Sequence, residues 1–321
     1  MADRRRILAG ACVAGLVVLG AGRLAGEPAD ESLEQSVDEP FVDSVDKPVG
    51  KGEPGALPAV PPPKAEVPGW SLRLAEDFAT VDPKLWTLKD DTYSSNEDSF
   101  LSAANCSIDQ AGADGHALRL QGRKQLVRKW GRTWRYTSCY ATTEGKYSLP
   151  DYFRAEVRAR VPMEQGMWAA PLWFRPADDS GGEIDLVETL GSEAALPQVH
   201  QAIHTDYGRT HEQAAITHPF RLLDDPAGTS WHTYTIEKVP GRITMWVDDV
   251  QTAEWSGGDP LWFARYYDAG KRWNLRINLQ IGGPWAGRPD ATTDWSADRT
   301  AVLVDHVYVW TPTPAKLRHL R

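Results

Sequence analysis

The sequence is short of three features: cysteine, positive charge and long apolar runs. It has 3 cysteines in 321 residues, which excludes a fold held by many disulfides. It carries 35 basic and 44 acidic side chains, a net charge of −9, which argues against a protein that binds nucleic acid through a basic surface. Its composition, 41% hydrophobic and 25% charged, also excludes low-complexity, collagen-like and multi-span membrane proteins.

Tryptophan, in contrast, is abundant, with 14 residues against 7 phenylalanines. Because the indole N–H needs a partner when it is buried, this surplus predicts many half-exposed rings. Such rings can serve as flat platforms for sugars, nucleobases or membrane interfaces, and the net charge argues against nucleobases.

The first 26 residues have the pattern of an export signal. Arg4, Arg5 and Arg6 precede an apolar run from Ile7 to about Leu19, followed by small residues. An uncleaved membrane anchor is the alternative, and the arginines also resemble a twin-arginine export signal. We therefore predict a secreted protein, or one anchored at the cell surface through its signal.

Residues 27–68 form an acidic, proline-rich segment. They contain 10 acidic residues, 3 lysines, 9 of the 23 prolines and a single aromatic residue, Phe41. Such a composition buries too little apolar surface to offset the entropy of ordering, so it predicts a disordered linker. The linker is either a tether to a membrane or cell wall, or a passive tail.

Residues 69–321 alternate between apolar and polar residues in the manner of strands. Phe153–Val161, Ile243–Val247 and Leu303–Val309 all follow this period of two. No long stretch has a helical period, and turn residues separate the alternating runs. These features predict one all-β domain, a concanavalin-like jelly-roll β-sandwich.

Two cysteines lie in this domain, Cys106 and Cys139, while Cys12 lies in the export segment. In an oxidising compartment an even pair in predicted strands favours a disulfide, with two buried thiols as the alternative.

The candidate chemistry is concentrated in the segment Glu183–Glu188, which has the spacing E-x-D-x-x-E. On a strand, Glu183 and Asp185 share a face, and a β-bulge around Leu186–Val187 would return Glu188 to it. The two glutamate carboxyls would then lie about 5 Å apart, the separation found in retaining glycosidases. The alternative is a solvated acidic strand face that binds a cation.

This segment resembles the active-site strand of family-16 glycoside hydrolases, in the bulged form of laminarinases and agarases. The resemblance extends over Gly69–Thr311. Its other motifs are Trp70–Phe78 with Leu85-Trp86, Tyr152–Arg158, Trp173–Pro176, Trp231–Tyr234, Asn278–Trp285 and Val304–Val309.

The resemblance implies that Glu183 is a nucleophile, that Glu188 is a general acid and base, and that Asp185 is their partner. His204 matches a family histidine close to the acids and would bind substrate there.

The resemblance also places Trp168, Trp173, Gln280 and Trp285 in a sugar-binding cleft. Relatives usually place the first two tryptophans four residues apart, whereas here they are five apart, so one ring would turn away unless a bulge absorbs the shift. Asp305 matches a position that in some relatives helps to bind a structural calcium, or it could simply cap a strand pair.

Together these observations predict a secreted retaining endo-β-glycosidase acting on a polysaccharide, with β-1,3- or β-1,3/1,4-glucan as its substrate. The alternatives are a non-catalytic glycan-binding jelly roll, an agarase or carrageenase, and a transglycosylase of the same family. We expect a monomer that requires no cofactor beyond the possible calcium.

Overall fold

The computed structural model describes residues 66–207, 210–268 and 270–320. The predicted export signal and residues 27–65 of the predicted linker lie outside the described residues. Within the described ranges, no helix is long and apolar enough to cross a membrane.

The described chain is built almost entirely of strands. In chain order they are β1 (Trp70–Glu76), β2 (Thr87–Leu88), β3 (Thr92–Tyr93), β4 (Ser99–Leu101), β5 (Cys106–Asp109), β6 (Ala117–Gln121), β7 (Arg123–Lys129), β8 (Arg132–Ser138), β9 (Tyr140–Thr142), β10 (Phe153–Arg160), β11 (Met167–Pro176), β12 (Glu183–Leu190), β13 (Gln198–His204), β14 (Gln213–Pro219), β15 (His232–Val239), β16 (Arg242–Val247), β17 (Val250–Ser256), β18 (Trp273–Ile281) and β19 (Ala301–Pro312). The helices are short: α1 (Phe263–Tyr267), α2 (Gly283–Ala286) and α3 (Pro314–His319), with 3₁₀ turns at Ala103–Asn105, Gly191–Glu193 and Phe220–Leu223.

Two large sheets make up the sandwich. One has the order β17-β16-β15-β10-β19-β6-β5, with β1 also paired to β19, and the other has the order β14-β13-β12-β11-β18-β9-β2. A smaller sheet, β3-β4-β8-β7, contains a parallel pair, β4 with β8. The predicted all-β jelly-roll sandwich is confirmed.

The alternation in the sequence has the expected cause. In β10 the residues Phe153, Ala155, Val157 and Ala159 are fully buried in the core, while the intervening residues are partly exposed. Strand β18 is buried along its whole length. Its apolar residues join the core, so its polar residues, which alternate with them, face the other side of the sheet. A buried polar face of this kind marks the position of the functional site.

A disulfide joins Cys106 in β5 to Cys139, the residue between β8 and β9. The two Cα atoms are 5.4 Å apart, which lies within the range of unforced disulfides. The predicted pairing is confirmed. Because β5 and β9 belong to different large sheets, the bond links the two layers of the sandwich.

The described fold begins before β1. Val67, in the last residues of the predicted linker segment, packs against a small cluster formed by Trp70, Val239, Tyr308 and Trp310. Its carbonyl also accepts the N–H of Trp70 at 2.9 Å.

Candidate active site

The acidic strand β12 contains the predicted bulge. Asp185 lies opposite Ala202 of β13, whereas Glu188 lies opposite His200. Three residues along β12 therefore span the same length as two residues along β13. The extra residue returns Glu188 to the face that carries Glu183 and Asp185.

Glu183 lies between two donors. The Nε of Arg175, on the neighbouring strand β11, is 2.9 Å from Oε2, and the hydroxyl of Tyr207 donates to Oε1. The carboxylate is 8% exposed, so the guanidinium supplies the positive charge that a buried anion requires.

Asp185 is paired with His204, whose Nε2 lies 2.8 Å from Oδ2. Burial raises the pKa of Asp185 well above its ordinary value, and the charge of Glu183 raises it further. Burial lowers the pKa of His204. Asp185 therefore ionises at a higher pH, and His204 loses its proton at a lower pH, than the free side chains would. On its other side, the His204 Nδ1 lies 3.0 Å from Nε2 of His211.

Glu188 has the environment of an acid that holds its proton. Burial raises its pKa well above the ordinary value, and the charges of Asp185 and Glu183 add to this effect. The indole of Trp168 donates to Oε1 at 2.8 Å, which acts in the opposite direction because it stabilises the ionised form. Glu183 and Glu188 therefore lie in contrasting environments, one beside a cation and the other beside an anion.

The five-residue spacing of Trp168 and Trp173 is absorbed by a bulge in β11. Against β18, Ala170 lies opposite Asn278 and Trp173 lies opposite Arg276. Three residues along β11 therefore span the same length as two residues along β18. Both indoles consequently reach the polar face. Trp168 contacts Glu188, and Trp173 donates to Oδ1 of Asn278 at 2.6 Å.

The remaining predicted substrate-binding residues lie on either side of these rings. Trp285 is 43% exposed and meets Trp168 edge to face, with ring centres 4.9 Å apart. Gln280 donates to Asn96 at 3.1 Å. The structure thus brings Trp168, Trp173, His204, Gln280 and Trp285 to the sheet that carries the acids.

Asp305 is placed differently, on β19 of the other large sheet. Its Oδ1 accepts the N–H of Ala113 at 2.6 Å, while its Oδ2 lies 3.3 Å from Arg158 and 2.9 Å from Nδ1 of His306. Calcium binds through several oxygen ligands, whereas N–H donors and a guanidinium surround this carboxylate. These residues do not fit a calcium site.

Among the described residues, one group could gather a metal ion: Glu183, Asp185 and His204, whose donor atoms lie within 4.8 Å of one another. Arg175 and Tyr207 already occupy the oxygens of Glu183, and His204 occupies an oxygen of Asp185. These contacts use both oxygens of Glu183, one oxygen of Asp185 and both ring nitrogens of His204, so a metal ion would have to displace them.

Several residues of the site lie outside every motif that the sequence shows. Tyr207 and His211 lie in the segment after β13 and stack on each other and on His204. Tyr267, from α1, places its hydroxyl 2.7 Å from the carbonyl of Glu183 and 2.6 Å from that of His204. Only Arg175 lies in a recognised motif, the segment Trp173–Pro176.

A carboxylate beside a cation and a protonated carboxyl on the same strand face form the pair that glycosidases use to cleave a sugar bond. Such a pair on a polar sheet face lined with tryptophans defines a glycoside hydrolase.

Comparisons with known proteins agree with this class. The family Glycosyl hydrolases family 16 matches residues 94–297. A beta-glucanase from Rhodothermus marinus is 28% identical over 260 residues, which are 76% of this chain and 86% of the relative. Among solved structures, the endo-beta-1,3-glucanase of Pyrococcus furiosus is 25% identical with a TM-score of 0.65, covering 76% of this chain and 95% of that one. The laminarinase of Rhodothermus marinus is 26% identical with a TM-score of 0.60, covering 77% and 100%.

The chain belongs to glycosyl hydrolase family 16, as its motifs predict. It is an enzyme that hydrolyses O-glycosyl bonds.

Proposed function

We propose that the protein is a secreted endo-acting hydrolase of β-1,3- or mixed β-1,3/1,4-glucan that retains the anomeric configuration. The observation that carries this proposal is the contrast between Glu183 and Glu188 on one bulged strand. Arg175 lies against Glu183, while burial and neighbouring carboxylates raise the pKa of Glu188.

In the first step, Glu183 attacks the anomeric carbon, and the glycosidic bond breaks as Glu188 gives its proton to the leaving oxygen. In the second step, Glu188, now ionised, removes a proton from water, and the water oxygen displaces Glu183 from the sugar. Two inversions at the same carbon leave its configuration unchanged.

Asp185 assists by position and charge. It lies between the two glutamates along the strand and is held by His204 at 2.8 Å. When Asp185 is ionised, its negative charge opposes loss of the proton from Glu188. Glu188 therefore stays protonated until it transfers the proton to the leaving oxygen.

The substrate class is inferred from the relatives, which include a beta-glucanase, an endo-beta-1,3-glucanase and a laminarinase. Partly exposed rings beside the acids support binding of several consecutive sugars. Trp173 lies opposite Asp185 and 6.0 Å from the buried ring of Tyr140, and Trp168 contacts Glu188 and meets the exposed ring of Trp285.

The substrate is tested by measuring release of reducing sugar from laminarin, barley β-glucan, agarose and carrageenan. We expect activity on the first two and none on the galactans. Preferential cleavage of agarose or carrageenan would replace the glucanase assignment by one of its alternatives, and no cleavage of any polymer would favour the non-catalytic glycan-binding protein.

The mechanism is tested by proton NMR of the first-formed product and by azide rescue. We expect the β anomer before mutarotation. For Glu183→Gly with added azide we expect an α-glycosyl azide, because azide occupies the space of the lost carboxylate. For Glu188→Gly we expect a β-glycosyl azide from substrates with a good leaving group. A first-formed α anomer would contradict the double displacement.

Secretion is proposed from the sequence of residues 1–26 alone. Expression of the whole chain, fractionation of the culture and N-terminal sequencing would show whether the product is released, held at the surface or kept inside the cell. Light scattering of the purified protein tests the expectation of a monomer.

A further inference from the structure

The hairpin formed by β7 and β8 is strongly basic in an acidic protein. Residues 123–138 include six lysines and arginines and no acidic residue, while the whole chain has a net charge of −9. All six side chains are exposed: Arg123, Lys124, Arg128, Lys129, Arg132 and Arg135.

Five of these six cations have no carboxylate partner in the part of the chain that the structure describes, and four of the five lack an aromatic partner as well. Lys129 pairs with Asp91, and Arg132 lies over the ring of Tyr93 at 4.6 Å. The other four, Arg123, Lys124, Arg128 and Arg135, form no ion pair with a described residue.

Three of the unpaired arginines share one face of the hairpin. Arg128 lies opposite Thr133 and Arg123 opposite Thr137, and Arg135 lies between these two threonines on β8. Since directly opposed residues and residues two apart point to the same side, the guanidinium groups form a row. Successive arginines on the diagonal are about 7–8 Å apart at their Cα atoms.

The tip of the hairpin carries an exposed aromatic ring. Trp130 is 61% exposed and has a φ of 48°, in the left-handed region that non-glycine residues seldom adopt. Its ring lies against Tyr93, Phe100 and Trp134, with centres 5.8–6.2 Å away. The fold therefore holds a large apolar ring in solvent on a supporting aromatic cluster.

A short series of contacts connects this tip to the candidate active site. Gln280 hydrogen-bonds Asn96, and three residues later β4 begins with Ser99 and continues to Phe100. The ring of Phe100 lies 5.8 Å from that of Trp130. These contacts connect the hairpin to the part of the site that contains Gln280.

We propose that the β7–β8 hairpin is a second binding surface, separate from the acids of β12, that takes an acidic polysaccharide. The row of Arg123, Arg128 and Arg135 pairs with carboxylate, sulfate or phosphate groups along the polymer. Trp130 packs on Trp134, which faces the other side of the hairpin, so its ring is not part of this surface. The surface would hold the enzyme on a matrix of acidic polysaccharide while the cleft hydrolyses the glucan.

The alternative anionic partners fit less well. Insertion into a lipid layer would require the Trp130 ring to leave the three rings that support it. Single-stranded nucleic acid is bound by stacking of bases on aromatic rings as well as by charge, whereas the hairpin face that carries the arginine row has threonines beside the arginines and the hairpin tryptophans lie on the other face. Both serve as competing outcomes in the experiment.

The experiment measures binding of the full chain to polygalacturonate, an α-linked acidic polymer that a β-glycosidase does not cleave. The fully methyl-esterified polymer is the uncharged control. At about 50 mM NaCl we expect binding to the charged form only, with an affinity that falls as salt rises.

The test variant carries Arg123→Gln, Arg128→Gln and Arg135→Gln. The matched control removes three exposed cations that likewise form no ion pair with a described residue, through Lys84→Gln, Arg221→Gln and Arg242→Gln. We expect the test variant to bind polygalacturonate about tenfold more weakly or worse and with a shallower salt dependence, since three charge contacts are lost. The control should stay within about twofold of the parent.

Trp130→Ala is a second control, because the ring lies on the other face of the hairpin, and it should stay within about twofold of the parent in affinity. Hydrolysis of laminarin should be the same in the parent and in the arginine variant, so failure of the proposed glucanase activity and failure of this proposal remain distinguishable.

Four results would overturn the proposal: equal binding to both forms of the polymer, equal weakening by the two triple variants, weakening by Trp130→Ala as large as that by the arginine variant, or tighter binding of the parent to oligothymidylate or to phosphatidylcholine vesicles containing phosphatidylglycerol. If the arginines serve only to keep an edge strand from pairing with other chains, the arginine variant would aggregate while its affinity for polygalacturonate stayed the same. That outcome also contradicts the proposal.

Discussion

Removal of a single buried oxygen, in Tyr267→Phe, should impair catalysis although Tyr267 does not face the substrate. The hydroxyl lies within 2.6–2.9 Å of the carbonyls of Glu183 and His204 and of the N–H of His204, and 3.4 Å from the N–H of Glu183. It accepts both N–H groups and donates its one proton to one of the two carbonyls. It thereby bridges β12 and β13 at the paired residues Glu183 and His204, the first of which is the proposed nucleophile.

The magnitude follows from what the variant leaves behind. If the strands stay where they are, two buried N–H groups lose their acceptor, each at a cost of about 1–3 kcal/mol, or about 2–6 kcal/mol in all. If the strands close to bond each other directly, the loss of stability is smaller, but the backbone of Glu183 moves. A displacement of about 1 Å at a reacting group can lower the rate about a hundredfold.

Steady-state kinetics on laminarin and thermal unfolding test this expectation together. We expect kcat of Tyr267→Phe to fall at least about tenfold with little change in KM, since the cleft rings are untouched. Tyr234→Phe is the matched control, because it removes a fully buried hydroxyl that has no hydrogen-bond partner. It should leave kcat unchanged. A Tyr267→Phe enzyme whose kcat stays within about threefold of the parent would refute this positioning role.

Four further predictions follow from the same contacts. Asp185→Asn should move the alkaline limb of kcat/KM to lower pH, because loss of its charge lowers the pKa of Glu188, which must be protonated to act; the exposed Asp249→Asn should not move it. Trp168→Phe should move that limb to higher pH, because the lost indole hydrogen bond had favoured ionised Glu188; a shift in the same direction as Asp185→Asn would contradict the assignment. Replacing Cys106 and Cys139 by serine opens a loop with a sequence separation of 33 residues, which should lower the free energy of unfolding by about 4 kcal/mol. In calorimetry Tm should fall by about 7–15 °C, and an unchanged Tm would contradict the expected stabilisation. Burial raises the pKa of Glu97 to about 7, so its ionisation destabilises the fold as pH rises through that value; Glu97→Gln should match the parent in thermal unfolding near pH 5 and exceed it near pH 8, whereas equal stability at both would place the carboxyl in solvent.

The fold and the acidic strand could be predicted because both depend on local periodicity. Alternation in Phe153–Val161 reports which side of β10 is buried, since one strand face always meets the core. The spacing of Glu183, Asp185 and Glu188 likewise predicts the bulge, because all three carboxyls lie on one face only if an extra residue is inserted between Asp185 and Glu188.

The partners that distinguish the two glutamates could not be predicted in the same way. Tyr207 comes from the segment after β13, and Tyr267 comes from α1, 84 residues beyond Glu183, whose carbonyl its hydroxyl contacts. Such contacts depend on how loops pack at the edge of a sheet, and no short-range pattern in the sequence encodes that. The row of arginines on the β7–β8 hairpin could not be predicted from overall composition either, because the net charge of the chain is negative and does not show a local positive surface.

The unusual tryptophan spacing and the bulge in the acidic strand prove to be one feature. Ala169 lies opposite Thr189, and Phe174 lies opposite Ile184, so β11 and β12 each take five steps between these pairs. The extra residue in β11 matches the extra residue in β12, and the register beyond both bulges is restored. As a result, Trp168 reaches Glu188 and Arg175 reaches Glu183 from the same strand, one on each side of the paired bulges. In this chain, deletion of one residue from β11 between Trp168 and Arg175 would shift one of these two partners by a residue and turn it to the opposite face of the sheet. The contrast between the two glutamates therefore depends on the length of the strand beside them as much as on the acids themselves.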